Sequence, residues 1–215
     1  SLGIAFDGDG DRCLAVDEKG EEIDGDKIIA ILSNYLRKKR KLNKDTIVST
    51  VMSNLGLHKY ARDNGLNYIQ TKVGDRYVLE EMLKEGYNLG GEQSGHIILL
   101  DYNPTGDGIL TACMLIQAIL EENVKASEIA EIIKLYPQVL LGAKVDADKK
   151  YDFDKDEEIN QEIQKLEKEF AGNGRVLIRA SGTEPLVRVM IEGEDQEYIT
   201  KKAKEMVDLI EKKLR

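Results

Sequence analysis

Three carboxylates alternate with glycine in Asp7-Gly8-Asp9-Gly10-Asp11, and Arg12 follows directly. Charges held this close repel one another unless a cation sits among them. An all-oxygen donor set prefers a hard dication such as Mg²⁺ or Ca²⁺ to Zn²⁺. The glycines let the backbone turn tightly enough for the side chains to converge. The pattern predicts a metal loop with Asp7, Asp9 and Asp11 as ligands, suited to phosphoryl chemistry. Taken alone, it leaves other readings open. A calcium hand would use Asp7, Asp9, Asp11 and Glu18, but it needs glycine where Arg12 stands. Its flanks, Gly3 to Phe6 and Cys13 to Val16, also read as strands rather than helices. An aspartyl-phosphate phosphatase, with its first carboxylate as nucleophile, is a second alternative. A plain acidic hairpin turn is the third.

Three further clusters could do chemistry. In Gly90-Gly91-Glu92-Gln93-Ser94-Gly95-His96, the residues Glu92, Ser94 and His96 alternate. On an extended backbone they would project to one side and suit a polyhydroxylated ligand. A polar turn whose Glu and Ser satisfy local backbone groups is the competing reading. Arg179-Ala180-Ser181-Gly182-Thr183-Glu184-Pro185, with Arg188 beyond it, combines small residues, two hydroxyls and two guanidiniums. That is the composition of a phosphate nest, though a plain Ser-Gly-Thr turn stays open. The spacing is not that of a P-loop. Lys72-Val73-Gly74-Asp75-Arg76 is either a ligand-facing loop or a helix start capped by Asp75.

The elements that must position these clusters follow from periodicity. Helices are expected over Gly25 to Arg40, Leu55 to Asn64, Asp75 to Lys84, Gly106 to Glu121 and Ala126 to Tyr136. The fourth is so apolar that burial all round is predicted. Strands are expected at Thr46 to Val51, Tyr68 to Gln70 and Ile97 to Leu100. Alternation of this kind implies a mixed, largely parallel α/β domain. After Pro137 the grouping changes. Strands at Val139 to Val145, Val176 to Ile178 and Val187 to Ile191 accompany helices carrying Ile159 to Phe170 and Asp195 to Leu214, a small α+β domain.

Composition narrows the function classes. The 215 residues carry a net charge of −9, which argues against nucleic-acid binding but not against an anionic small molecule met by local arginines. The two cysteines, Cys13 and Cys113, lack metal spacing and read as reduced core thiols. There is neither a membrane-length apolar run nor a signal-peptide pattern, so a cytoplasmic protein with no membrane partner is expected. A strand begins almost at Ser1, as though cut from a larger protein.

Taken in order, the metal loop, Thr50-Val51-Met52-Ser53-Asn54, Lys72 to Tyr77, Gly91 to His96 and Arg179 to Arg188 resemble the α-D-phosphohexomutase superfamily. Gly-Glu-Gln-Ser-Gly-His and Arg-Ala-Ser-Gly-Thr-Glu-Pro-Leu-Val-Arg look like its glucosamine branch rather than its phosphomannomutase/phosphoglucomutase branch. The resemblance implies three parts: residues 1–23 as the end of domain 2 with the metal loop, 24–136 as domain 3, and 137–215 as domain 4. Domain 1 and most of domain 2 would be missing partners of the same polypeptide. It further implies interconversion of glucosamine 6-phosphate and glucosamine 1-phosphate, for UDP-N-acetylglucosamine and cell-wall precursors. A phosphoserine carried by domain 1 would do this with Mg²⁺ and glucosamine 1,6-bisphosphate as intermediate and activator. No Ser-His-Asn-Pro-like segment for that serine occurs here, so this chain alone is expected to be inactive. By the same resemblance Arg12 and His96 take catalytic roles. Gly74, Asp75, Glu92, Ser94, His96, Arg179, Ser181, Gly182, Thr183 and Arg188 contact the phosphosugar. A homodimer is among the implied partners. Phosphomannomutase/phosphoglucomutase activity and a non-catalytic phosphosugar-binding module are the alternatives.

Overall fold

The computed structural model describes residues Ser1–Arg215, which divide into two compact units, Ser1–Leu135 and Tyr136–Arg215. The first unit opens with an antiparallel sheet of β1 (Gly3–Phe6), β2 (Cys13–Val16) and β3 (Glu22–Ile23). The acidic loop is the β1–β2 connection, with Phe6 opposite Cys13 at its base. Then come α1 (Gly25–Lys38), β4 (Thr46–Thr50), α2 (Leu55–Asp63), β5 (Asn67–Thr71) and α3 (Asp75–Glu85). The strands β6 (Leu89–Gly91) and β7 (Ile97–Leu99) precede α4 (Gly108–Glu122) and the short α5 (Ala126–Ala130).

These strands form one sheet in the order β5-β4-β6-β7. β4 runs parallel to β5 and β6, while β7 turns back antiparallel to β6. The carboxyl ends of β5 and β6 therefore lie along one edge, where α/β sheets bind ligands. Gly74-Asp75 follows one of those ends and Glu92–His96 the other. Side-chain caps start the helices: Asp24 accepts from the Lys27 N–H at 3.0 Å, Asn54 from Gly56 at 2.9 Å, and Asp107 from Leu110 at 2.9 Å. The first unit's main core joins α1 residues Ile28, Ile29, Ile31 and Leu32 to Ile47, Leu57, Leu89, Ile97 and Leu115.

The second unit contains β8 (Gln138–Lys144), α6 (Glu157–Phe170), β9 (Gly174–Ala180), β10 (Leu186–Gly193) and α7 (Gln196–Leu214). Its antiparallel sheet has the order β8-β10-β9. Val187, Val189 and Ile191 alternate along β10 to one face, where they pack with Ile159 and Leu166 of α6 and Ile199, Met206 and Ile210 of α7.

Four expectations need correction. Gly90 and Gly91, read as loop, lie in a strand. A Cβ at Gly90 would meet the Met82 sulfur at 2.6 Å, and one at Gly91 the His96 carbonyl oxygen at 2.6 Å, so close packing overrides glycine's poor strand propensity. Helix α5 stops at Ala130, and the chain reaches Tyr136 through turns. Helix α4 is not buried all round: Ile109, Cys113, Ile116 and Leu120 form an exposed stripe opposite Ala112, Leu115 and Ala118. An apolar helix buries only the faces its neighbours cover. For the same reason Cys113 is no core thiol, whereas Cys13 is buried and its thiol pKa is pushed up to about 11 by desolvation. No helix is long and apolar enough to cross a membrane.

Two contacts can be tested. A Cβ on Gly25 would strike the Glu92 carbonyl oxygen and come within 2.7 Å of the Gln93 carbonyl oxygen and the Gly95 nitrogen, so α1 packs directly on the β6–β7 backbone. Gly25→Ala is expected to cost about 1–3 kcal/mol in chemical denaturation. Glu18, in the β2–β3 turn, accepts from the Ser127 hydroxyl at 2.5 Å and the Ser127 N–H at 3.3 Å, and the hydroxyl bond chiefly lowers its pKa from 4.5 to about 2. A lowered folded-state pKa contributes stability above pH 4.5 that is lost as pH falls toward 2. Ser127→Ala should flatten that part of the acid limb in melts run from pH 5 to pH 2.

Candidate functional site

The acidic loop closes on itself. The Asp7 carboxylate accepts from the Arg12 N–H at 3.2 Å, and the Arg12 guanidinium lies 3.6 Å from Asp7 and 4.0 Å from Asp11. One carboxylate oxygen from each of Asp7, Asp9 and Asp11 falls within a 4.8 Å cluster. Desolvation would raise the Asp7 pKa, but the backbone N–H and the charge of Arg12 bring it below its ordinary 3.8. Asp11 Oδ1 is buried and has no hydrogen-bond partner. Three converging carboxylates, one of which carries a buried oxygen without a donor, fit a hard divalent cation.

Backbone contacts fix this loop against the β6–β7 turn. The Cys13 N–H donates to the Gly95 carbonyl at 3.0 Å, and Arg12 forms an isolated antiparallel bridge with His96. A Cβ on Gly95, which has φ +90°, would run into the Cys13 carbonyl. Below the loop the Gly108 N–H donates to the Gly10 carbonyl at 3.0 Å, so the start of α4 buttresses it.

Glu92–His96 is not an extended segment. The Glu92 N–H donates to the His96 carbonyl and the Gly95 N–H to the Glu92 carbonyl, each at 3.0 Å, which makes a hairpin turn. The three polar residues consequently diverge: Ser94 is exposed, Glu92 half-buried, and His96 only 4 % exposed. His96 Nδ1 lies 3.0 Å from Asp11 Oδ2, while Nε2 accepts from the Gly106 N–H at 3.2 Å. Asp75 stands beside this group with its carboxylate 3.9 Å from Nε2. It is the first residue of α3 and not its cap; that place belongs to Gly74, whose φ of +128° suits glycine. Thus Asp11, His96 and Asp75 from three separate sequence clusters meet in the first unit.

In the second unit Arg179 and Arg188 are direct cross-strand partners. Two steps along the same face, Arg175 is opposite Glu192 and pairs with it. Like charges directly opposite are unfavourable, and Arg179 faces Arg188 where Arg175 faces a carboxylate. Burial and then the Arg188 charge lower the Arg179 pKa, and its Nε is buried without a hydrogen-bond partner. Arg188 reaches Glu184 at 3.0 Å. In the adjoining turn the Ser181 N–H donates to Leu186 at 2.8 Å and its hydroxyl accepts from the Glu184 N–H at 3.3 Å, leaving Gly182 and Thr183 exposed at the tip.

Sequence reasoning missed two residues. Gly106 supplies the N–H to His96, and nothing in its sequence context marks it. Lys150 donates to the Ser181 carbonyl at 3.0 Å, but in sequence it is one charge within a charged stretch.

A parallel α/β unit followed by an antiparallel α+β unit corresponds to two successive domain models. Residues 24–136 match "Phosphoglucomutase/phosphomannomutase, alpha/beta/alpha domain III", and residues 140–209 match the C-terminal domain of the same group. The chain belongs to the phosphoglucomutase/phosphomannomutase family. It is 60 % identical over 212 residues to a phosphoglucosamine mutase of Clostridium tetani, and 58 % identical over 213 residues to one of Ruminiclostridium cellulolyticum. Each alignment covers 99 % of this chain and 47 % of the relative, so the chain spans about half the length of these curated relatives. Among solved structures, an N-acetylphosphoglucosamine mutase of Aspergillus fumigatus superposes with a TM-score of 0.82 at 21 % identity, over 99 % of this chain and 48 % of that one. Another structure of that Aspergillus enzyme, in complex with GlcNAc-6P and magnesium, gives a TM-score of 0.79 at 20 % identity over 99 % and 49 % of the two chains.

The paired arginines yield a direct test. Without added anion, Arg179→Met should raise the unfolding free energy by about 0.5 kcal/mol by relieving like-charge repulsion. Sulfate should stabilise the unsubstituted protein and lose that effect in the variant, as urea denaturation with and without the salt would measure.

Proposed function

We propose that this chain supplies the metal-, sugar- and phosphate-binding portion of a phosphoglucosamine mutase that interconverts glucosamine 6-phosphate and glucosamine 1-phosphate. The observation that carries the reading is the Asp11–His96 contact, which seats the acidic loop on the turn bearing Glu92 and Ser94. The likeness to the Clostridium phosphoglucosamine mutase supports the glucosamine branch. In this reading residues 1–23 carry the metal loop of domain 2, residues 24–136 the sugar loop of domain 3, and residues 137–215 the phosphate loop of domain 4.

Asp7, Asp9 and Asp11 hold Mg²⁺, which when bound neutralises charge on the phosphoryl group in transit. Arg12 adds a guanidinium on the same side of the loop. Glu92 accepts from sugar hydroxyls and Ser94 adds a second polar contact, while Gly74 and Asp75 border the same edge. Arg179 and Arg188, with Ser181, Gly182 and Thr183, anchor the phosphate that does not react. Charge-assisted, bidentate contacts of this kind orient a phosphosugar as well as bind it. The phosphoryl donor is a phosphoserine outside residues 1–215: the sugar's free hydroxyl attacks its phosphorus and the serine oxygen leaves, and after the resulting bisphosphate turns end for end that serine attacks the other phosphate and releases the product hydroxyl.

The test is coupled turnover with Mg²⁺ and glucosamine 1,6-bisphosphate present. Residues 1–215 alone are expected to give no product. The full-length polypeptide is expected to turn over glucosamine 6-phosphate in preference to mannose 6-phosphate and glucose 6-phosphate. Equal or greater rates with the other hexose phosphates would move the assignment to phosphomannomutase/phosphoglucomutase. Phosphosugar binding without turnover by the full-length protein would leave a binding module.

A further inference from the structure

We infer that Lys150 is a positioning residue of the β9–β10 turn, which caps the Ser181 carbonyl with positive charge so that the turn meets an anion with donors rather than with that oxygen. The inference rests on the phosphate reading of the turn and adds a role to it. The stretch between β8 and α6 carries Lys149, Lys150 and Lys155 among Asp146, Asp148, Asp152, Asp154 and Asp156. Lys149 pairs with Asp146 at 2.8 Å and Lys155 with Asp152 at 2.7 Å. Lys150 pairs with no carboxylate. Its ammonium instead donates to the Ser181 carbonyl, 31 residues away in sequence, at 3.0 Å. It also lies 5.0 Å from the centre of the Tyr151 ring, a cation–π contact that helps to hold it there.

Sheet order makes this reach possible. The end of β8 lies beside the start of β10, where Lys144 is opposite Leu186, and the end of β9 lies on the other side of β10, where Ala180 is opposite Val187. The chain leaving β8 crosses the β9–β10 turn and is fastened at both of its ends. The Val145 N–H donates to the Pro185 carbonyl at 3.2 Å, and Lys150 donates to that of Ser181. Ser181 is 3 % exposed, so its carbonyl needs a partner inside the fold. Its N–H already serves Leu186 and its hydroxyl the Glu184 N–H. A carbonyl oxygen carries partial negative charge, which opposes an anion drawn to Arg179 two residues before it. The ammonium offsets that charge. The N–H groups of Gly182 and Thr183 are spent on no backbone carbonyl and stay available at the tip, as successive donors for an anion.

The experiment is a titration of residues 1–215 with inorganic phosphate, followed by ¹H–¹⁵N correlation spectra that report the Kd through the Gly182 and Thr183 amides. It is repeated on Lys150→Met, Lys150→Arg and Lys149→Met, with circular dichroism to verify folding. Lys150→Met should raise the phosphate Kd about 3- to 10-fold, the effect of one charge acting across a short distance in a partly solvated site. Lys150→Arg keeps both the charge and the N–H donors, and its Kd should stay within about two-fold of the unsubstituted chain. Lys149→Met removes the same charge one position away, and its Kd should also stay within about two-fold because Asp146 already neutralises that lysine. Lys150→Gln, whose amide can still donate to a carbonyl, gives the same test of the charge where Lys150→Met does not fold. A residue that merely fastened the crossing segment would lower the urea midpoint and leave the Kd unmoved. An unchanged Kd in folded Lys150→Met or Lys150→Gln, or an equal rise in Lys149→Met, would overturn the positioning role and leave the anion turn intact. Failure of phosphate to shift the Gly182 and Thr183 amides of the unsubstituted chain would overturn the phosphate reading itself, and this role with it.

Discussion

Direct backbone contact between loops governs the first unit. The Cys13 N–H meets the Gly95 carbonyl, the Gly25 N–H meets the Gln93 carbonyl, and the Gly108 N–H meets the Gly10 carbonyl, each at 3.0 Å. At Gly25, Gly95 and Gly108 an added Cβ would overlap backbone of the opposing segment. Because these segments touch without intervening side chains, the acidic loop and the β6–β7 turn have one relative placement. The His96–Asp11 hydrogen bond depends on that placement. The convergence of the carboxylates depends in turn on the loop being held.

Two concentrations of charge remain incompletely compensated, and each arises from an otherwise ordinary element. A short hairpin connection brings three carboxylates together with one guanidinium. In the second unit, β-sheet register places Arg179 against Arg188, although the same face accommodates Arg175 by placing Glu192 opposite. Folding tolerates each because the local cost is small beside core burial, as expected where a ligand of opposite charge completes the arrangement. The net charge of −9 gives no hint of the arginine pair, since overall charge and local charge are set by different residues.

Much of the candidate site was legible because it resides in contiguous runs. The carboxylates of the acidic loop, the glycine-flanked Glu92–His96 segment and the arginine turn each announce a composition before any fold is known. The helices were legible too, through periodic apolar positions and caps such as Asp24 and Asn54. What could not be read depends on contacts distant in sequence. Alternation suggested that His96 shares a face with Glu92 and Ser94; a turn closed by two backbone hydrogen bonds separates them, and Asp11, 85 residues away, claims the ring. Gly106 looks like helix and instead lies before it, donating its N–H to the His96 ring. Asp75 has the composition of a cap, yet Gly74 takes that position through its φ. The α4 stripe of Ile109, Cys113, Ile116 and Leu120 shows that apolarity reports a capacity for burial, while neighbours decide whether that capacity is used.

The glycine contacts also bear on how such a site can change over generations. Where loops meet backbone to backbone, the frame accepts almost no alternative residue, and its sequence is nearly closed to drift. Side chains that point away from those contacts, such as the exposed Ser94, are under no such steric restriction. A protein built this way can exchange the groups that face its ligand while the distances between its loops stay fixed. Innovation in what is bound and preservation of where it is bound are thereby assigned to different atoms of the same short segments.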